Sequence, residues 1–246
     1  MSRPPRIIAA VAAGAVLLHG LPSLTVLGAL APWQPPALPW GLCRWRGPVG
    51  AGRVALTFDD GPSPLATVRT LELLADLDVR ATFFVTGTNA EAHPELVRRM
   101  RGEGHAVGLH GQRHRHHLLH GPRWVWRDLQ QAVAVYRQVL GHQPAWFRPP
   151  YGQLAAGSVL AARRLGLSTV LWSGWGREFA DPSPPQVLRR LQRRLADGAV
   201  LLQHDNDESC PVGTAAVTHE VLRPLVDEVR ARGLAPVTLD ELVGGR

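Results

Sequence analysis

Two acidic residues lie side by side in this 246-residue chain, after an apolar run and before a Gly-Pro turn. The pattern predicts that Asp59 and Asp60 stand at the exit of a buried strand. Further along, His110 and His114 supply two imidazoles at a spacing of four. One carboxylate and two imidazoles can hold a divalent metal ion and leave a position open for water. The residues therefore predict a metal-dependent hydrolase in which Asp60, His110 and His114 bind Zn²⁺ or a similar ion.

Each of these groups also has an ordinary structural interpretation. An Asp-Asp-Gly sequence is common in turns that precede helices, and the histidine pair belongs to a cluster with His116, His117 and His120. We interpret those three as surface or loop histidines. The acidic pair and the histidine pair together favour a metal site, and they leave Asp59 free to act as a general base.

Three further residues could complete a catalytic site. Arg148 lies in a loop stiffened by two prolines and a glycine, where a permanently charged side chain can orient a carboxylate. His204 follows a later apolar run, and its ordinary pKa near neutrality suits the protonation of a leaving amine. Glu178, in a segment rich in aromatic residues and glycine, can polarise His204.

Short apolar runs alternate with amphipathic stretches over residues 53–240, which predicts parallel strands joined by helices. The predicted strands are 53–58, 81–85, 105–109, 145–148, 168–172, 199–203 and 235–239. The predicted helices are 64–76, 90–102, 124–140, 154–165, 185–196 and 215–232. Seven strands favour a distorted (β/α) barrel, although the spacing alone does not decide between a barrel and an open sheet. Six residues fall at or just past strand ends, where barrels place their active sites: Asp59, Asp60, His110, Arg148, Ser173 and His204.

The first 31 residues are typical of a targeting or anchoring segment. Arg3 and Arg6 precede an uncharged stretch from Ile7 to Cys43, which contains an apolar run long enough for one span of roughly 20 residues. Pro32 follows a small-residue sequence that resembles a cleavage site, and it disfavours cleavage there. We expect an uncleaved signal-anchor rather than a cleaved signal peptide, followed by a proline-rich linker over residues 32–52. The protein is thus predicted to act outside the cytoplasm, anchored or secreted.

The charge pattern excludes one class of partner. The net charge is +7, and all 27 basic residues are arginine. They are spread through the predicted helices, which is typical of a solvated face, and no basic run with interleaved aromatics indicates nucleic-acid binding. No protein partner is evident. Cys43 and Cys210 form no CxxC motif, and they could either pair or remain two free thiols.

These motifs, in this order, resemble the polysaccharide deacetylase family, also called the NodB homology domain or carbohydrate esterase family 4. The resemblance covers about residues 53–240. Residues 57–61 match the first motif in full. His110 and His114 match the second, with Gly111 in the place of the usual Ser or Thr, so a hydroxyl that steadies the loop is missing. Residues 148–152 match the third motif.

The last two motifs differ in how well they match. Residues 202–204 fit the fifth motif, whereas Glu178-Phe179 stands where the fourth motif has Asp-Trp. The resemblance implies that His204 is the general acid, tuned by Glu178, and that Leu202 lines a pocket for the acetyl methyl group. It also implies that the backbone N–H of Tyr151 helps to bind the oxyanion.

For the remaining residues, the resemblance implies that Asp59 is the base, oriented by Arg148, and that Asp60 is a metal ligand. The implied reaction removes an N-acetyl group from an amino sugar of a peptidoglycan-like or chitin-like polymer, with Zn²⁺ as the expected metal. Two alternatives stay open: deacylation of a lipid-linked sugar at the membrane, and a non-catalytic relative that binds glycans. An O-acetyl ester is a further possible substrate.

Overall fold

The computed structural model describes residues 19–20 and 43–244. Within them, eight parallel strands form one sheet. The strands are β1 (Arg53–Asp59), β2 (Thr82–Val85), β3 (Ala106–Leu109), β4 (Trp146–Phe147), β5 (Ser168–Thr169), β6 (Gly174–Trp175), β7 (Val200–His204) and β8 (Ala235–Val237). Their order is β5-β4-β3-β2-β1-β7-β6, and β8 pairs with the start of β1. The expected parallel α/β architecture is confirmed. The sheet is a half-barrel and not the expected barrel, because its strand order runs from β5 at one end to β6 at the other without closing in the described residues.

Helices connect successive strands, as parallel pairing requires, except between β5 and β6, which lie at opposite ends of the strand order. They are α1 (Ala66–Asp76), α2 (Gly87–Ala92), α3 (Pro94–Gly102), α4 (Pro122–Leu140), α5 (Ala156–Arg164), α6 (Pro184–Arg194), α7 (Thr214–Ala231) and α8 (Leu239–Leu242). The single helix predicted over 90–102 is wrong, because the chain breaks at His93 and Pro94 starts a new helix. A proline favours the first turn of a helix, since it has no N–H to donate.

The central strands are buried on both faces, which explains their continuous apolar sequence. β1 is buried from Val54 to Asp59, and every residue of β7 is buried. The strand predicted over 168–172 is shorter, and β6 follows it as a separate strand that the sequence did not predict. Ser173 lies between these two strands, where its hydroxyl and the Val200 backbone exchange hydrogen bonds of 3.3 and 3.0 Å.

A short segment before β1 closes part of the gap between the ends of the sheet. Arg44 forms a parallel bridge to Val170 beyond β5, and Arg46 forms an antiparallel bridge to Ala199, just before β7. Cys43 is fully buried, and Trp45 is 3 % exposed. Residues 43–47 thus belong to the folded domain, with Cys43 and Trp45 in its core, although they fall within the linker expected over 32–52.

The expected N-terminal anchor lies almost entirely outside the described residues, as do residues 32–42. In the part of the chain that the structure describes, no helix is both long and apolar enough to cross a membrane. Cys43 and Cys210 are both free thiols, which answers the question of pairing that the sequence left open.

The buried segment before β1 gives a stability prediction. Trp45→Ala should lower the free energy of unfolding by about 3–5 kcal/mol, because it leaves a cavity where the indole packs into the core. Chemical denaturation followed by fluorescence measures this change. Val49→Ala, at a position 73 % exposed, is the control and should stay within about 0.5 kcal/mol of wild type. Equal stability of the two variants would contradict the packing role of Trp45.

Candidate active site

Strand register brings the candidate residues to one rim of the sheet. Asp59 ends β1 and pairs directly with His204, which ends β7. His110 follows β3 and Arg148 follows β4, and these two strands pair through Leu109 and Phe147. The carboxyl ends of parallel strands all face the same edge, so four residues far apart in sequence meet there.

Asp60 and the two histidines converge on one point. Oδ1 of Asp60 lies 3.3 Å from Nε2 of His110 and 3.2 Å from Nε2 of His114. Asp60 adopts a left-handed conformation with φ of 78°. The side-chain amides of Asn89 and Asn206 donate to its carbonyl oxygen at 2.9 and 3.0 Å and hold this turn in place.

The chemistry of this donor set fits a metal ion. Nδ1 of His110 donates to the carbonyl of Arg148 at 2.8 Å, which leaves Nε2 as the ring atom that faces Asp60. Burial lowers the pKa of His114 to about 4 and keeps that ring neutral. Oδ1 of Asp60 is buried and accepts no hydrogen bond from the described residues. Three converging lone pairs repel one another unless a cation lies between them.

Asp60 itself is held in its charged form. Burial opposes ionisation, but the adjacent imidazoles of His110, His204 and His114 lower the pKa of the carboxyl below its ordinary value. An ionised carboxylate with two neutral imidazoles is the state that metal binding needs.

Asp59 is oriented by a buried arginine. Nη1 of Arg148 donates to Oδ1 of Asp59 at 2.6 Å and to the hydroxyl of Thr57 at 2.9 Å, and Nη2 donates to the carbonyl of Leu171. The guanidinium lies 4.1 Å above the ring of Phe84. Arg148 thus occupies one oxygen of Asp59, while Oδ2 faces the metal site, 3.8 Å from Nε2 of His110.

His204 forms a buried pair with Glu178. Nδ1 of His204 lies 2.7 Å from Oε1 of Glu178. Burial acts to lower the pKa of His204, but the hydrogen bond and charge of Glu178, with the charges of Asp60 and Asp59, outweigh it and raise the pKa to about 9. Phe179 lies edge-on to the His204 ring, with 5.5 Å between ring centroids.

The loop between the two histidines is steadied by a residue that the sequence did not reveal. Asp128 on α4 accepts hydrogen bonds from the backbone N–H groups of Gln112 at 2.9 Å and Arg113 at 3.3 Å. Gly111 has φ of 81°, and a side chain there would meet Oδ2 of Asp128 at 3.1 Å. The carboxylate steadies the loop from which the family's hydroxyl is missing. The one feature of the sequence that points to Asp128 is its position as an acidic residue on the buried face of α4.

His117 supports the same loop from behind, so its interpretation as a surface or loop histidine is wrong. It is fully buried, with Nδ1 3.1 Å from the hydroxyl of Ser158 and Nε2 3.6 Å from Oδ2 of Asp128. His116 and His120 are only partly buried. Neighbouring histidines in one loop therefore have different environments, which spacing alone does not distinguish.

Tyr151 stands at the mouth of the site. It adopts a left-handed φ of 60°, its side chain is 45 % exposed, and its ring stacks on His116 with 3.5 Å between centroids. Nothing in the residue type alone predicts this conformation, since a bulky residue rarely adopts positive φ.

A pocket of about 370 Å³ joins these groups. Arg148 and Glu178 lie directly behind it, in contact with Asp59 and His204. The sequence did not point to the loop after β7, which supplies Ser209, Cys210 and Pro211. The residues that line the pocket are Asp59, Asp60, His110, His114, Tyr151, Gly152, Gln153, Trp172, Trp175, Phe179, Leu202, His204, Ser209, Cys210 and Pro211.

Fold and site together define a class: a parallel α/β protein with an Asp-His-His centre of the kind that holds a catalytic metal. The family model described as polysaccharide deacetylase matches residues 46–170. The chain belongs to the polysaccharide deacetylase family.

Similar proteins carry names of this family. A peptidoglycan-N-acetylglucosamine deacetylase of Bacillus cereus is 30% identical over 210 residues, 83% of this chain and 94% of that protein. A chitooligosaccharide deacetylase of a Bradyrhizobium species is 32% identical over 200 residues, 78% of this chain and 91% of that protein.

Solved structures give the same picture of the fold. A peptidoglycan N-acetylglucosamine deacetylase in complex with an N-oxidanyl-benzamide superposes with a TM-score of 0.77 at 28% identity, covering 83% of this chain and 94% of that one. A family 4 pseudoenzyme from Bacillus anthracis has a TM-score of 0.74 at 23% identity, covering 85% and 69%. At 23% identity, the likeness to the pseudoenzyme shows a shared fold and nothing about activity.

The support of the histidine loop gives a second prediction. Asp128→Ala should weaken Zn²⁺ binding by about 10- to 100-fold, the usual cost of losing a group that orients metal ligands. Calorimetric titration of the metal-free protein measures the affinity, and circular dichroism checks that the variant is folded. Asp76→Ala, at an exposed aspartate of α1, should bind as wild type does. Unchanged affinity in folded Asp128→Ala would show that the loop does not depend on this carboxylate.

Proposed function

We propose that the protein is a metal-dependent hydrolase that removes N-acetyl groups from amino sugars of a polysaccharide or oligosaccharide. The observation that carries this proposal is the placement of Asp60 and two imidazoles between a second carboxylate and a histidine–glutamate pair. Hydrolysis of an amide needs a base on one side of the carbonyl and an acid on the other.

Asp60, His110 and His114 would hold the metal, and Zn²⁺ suits two imidazoles and a carboxylate best. When bound, the ion lowers the pKa of water and polarises a carbonyl oxygen. The buried acceptor Oδ1 of Asp60 supports this assignment, because it lacks a hydrogen-bond donor among the described residues.

Asp59 is proposed as the general base. Arg148 occupies its Oδ1, which leaves Oδ2 to accept a proton from water on the side of His110. The carboxylate cannot turn away, because Arg148 is itself held by Thr57 and by the carbonyl of Leu171. A base held in one orientation loses little entropy in the reaction.

His204 is proposed as the general acid. Its Nδ1 is held by Glu178, so Nε2 is the atom that can give a proton to the departing amine. Glu178 keeps the ring charged at neutral pH, since it raises the pKa of His204 to about 9 against the effect of burial. The longer arm of glutamate thus does what the family's aspartate is expected to do.

The rest of the pocket is proposed to bind the substrate. Leu202 lines it and would contact the acetyl methyl group, and the backbone N–H of Tyr151 would donate to the oxyanion. Trp175 and Phe179 form an aromatic wall, 4.9 Å apart, on which a sugar ring can stack. The names of the relatives favour N-acetylglucosamine in peptidoglycan or chitin-like oligomers, and hence action outside the cytoplasm. The N-terminal membrane anchor stays a prediction.

Acetate release from N-acetylglucosamine oligomers tests the function. The full chain loaded with Zn²⁺ should release acetate, and chelation should abolish the release. Asp59→Asn should lower kcat by about 10²–10⁴-fold while metal binding persists, because the variant loses only its base. Asp60→Ala should lose both metal and activity. No release by a protein that binds one equivalent of Zn²⁺ would instead favour a lipid-linked substrate or a binding role.

The pair of His204 and Glu178 predicts a shift in pH dependence. In Glu178→Gln the ring loses the neighbour that raises its pKa, so it gives up its proton at lower pH. The alkaline limb of the kcat/KM profile should therefore move to lower pH than in wild type. Glu220→Gln, at an exposed glutamate of α7, should keep the wild-type profile. An unmoved limb in Glu178→Gln would argue against His204 as the acid.

A further inference from the structure

A second set of metal-binding side chains adjoins the first. Asp60, His204 and Cys210 bring an oxygen, a nitrogen and a sulfur within 4.8 Å of one another. Sγ of Cys210 donates a hydrogen bond to Oδ2 of Asp60 at 3.3 Å, and Cys210 lines the same pocket. The proposed hydrolysis assigns no role to this thiol.

The two oxygens of Asp60 face different partners. Oδ1 points to Nε2 of His110 and of His114, whereas Oδ2 points to Cys210. A carboxylate with its oxygens directed to two sets of ligands can bridge two metal ions, which lie about 3.5–4 Å apart in such sites. The ligand atoms on the side of Oδ2 are therefore candidates for a second ion.

His204 is held in the way that metal-ligating histidines are held. Its Nδ1 contacts Oε1 of Glu178 at 2.7 Å, as Nδ1 of His110 contacts the carbonyl of Arg148 at 2.8 Å. A hydrogen bond from Nδ1 to a carboxylate or carbonyl fixes the ring and leaves Nε2 for a metal. The acid and the first-site ligand thus have the same local arrangement.

We propose that Asp60, His204 and Cys210 form a second, inhibitory site for a thiophilic divalent cation such as Zn²⁺. On binding, the cation takes the place of the proton on Sγ of Cys210 and of any proton on Nε2 of His204. Both protons pass to solvent, and nothing is oxidised or reduced. Occupancy of this site does not depend on the proposed function, whereas inhibition does, because it follows from the loss of the proton that His204 would donate.

The sulfur ligand makes the site selective. Thiolates favour Zn²⁺ and Co²⁺ over Mg²⁺ and Mn²⁺, which prefer oxygen ligands. Excess Zn²⁺ should therefore inhibit the enzyme that one equivalent activates, whereas excess Mg²⁺ should not.

Titration of the metal-free full chain with Co²⁺ tests occupancy directly. Wild type should bind two equivalents, and a thiolate-to-cobalt charge-transfer band in the near ultraviolet should appear only with the second. Cys210→Ser should bind one equivalent and show no such band. Cys43→Ala, which removes the other, fully buried thiol, is the matched control and should keep both equivalents and the band.

Two other results of the titration would overturn the proposal. A band that grows with the first equivalent would make Cys210 a ligand of the first ion, and a wild type that binds only one equivalent would show that no second site exists. In the activity assay, Cys210→Ser should need at least about 10-fold more Zn²⁺ for half-inhibition. If no variant hydrolyses any N-acetyl sugar, the proposed function fails, and the cobalt titration still decides the second site.

Discussion

Two adjacent buried carboxylates at the end of one strand are the constraint on which the rest of the site depends. Asp59 and Asp60 are 2 % and 1 % exposed. An unpaired charge in the interior costs several kcal/mol, so each carboxylate needs its own positive or hydrogen-bonding partner. The left-handed turn at Asp60 sends the two side chains to different partners. One carboxylate meets Arg148, and the other meets the histidines.

Arg148 links Asp59 to the strands around it through hydrogen bonds. Its guanidinium is fully buried, so each of its N–H groups needs a hydrogen-bond acceptor within the protein. It donates to Asp59 and Thr57 of β1 and to the carbonyls of Val170 and Leu171 beyond β5. Leu171 in turn donates its N–H to the carbonyl of Arg44. Three hydrogen bonds in series, through Leu171 and Arg148, thus join the segment that closes the half-barrel to Asp59. Fold closure and catalytic geometry thus share one network.

Local patterns in the sequence predicted the parts of the site that local chemistry determines. The apolar run before Asp59 and the spacing of His110 and His114 predicted the rim position and the metal cluster. The pairing of Arg148 with Asp59 and of Glu178 with His204 was also predicted, but other partners that only the fold brings together were missed. Asp128 reaches the loop at Gln112 from a helix that begins later in the chain, and residues 43–47 pack onto strands more than a hundred residues away. Such contacts have no period or spacing from which they could be predicted.

The departures from the family's motifs are of two physical kinds. In two of them, other atoms make an equivalent contact. Asp128 holds the loop at Gly111 by accepting hydrogen bonds from the backbone N–H groups of the next two residues. Glu178 reaches His204 with one more methylene than aspartate has. Phe179 is different, because its ring keeps the contact with His204 but has no N–H to donate. At that wall a substrate can be held by stacking on apolar faces, not by a hydrogen bond from residue 179. The groups proposed for hydrolysis therefore keep their contacts, while the wall proposed to bind the sugar departs from the family's motif at Phe179.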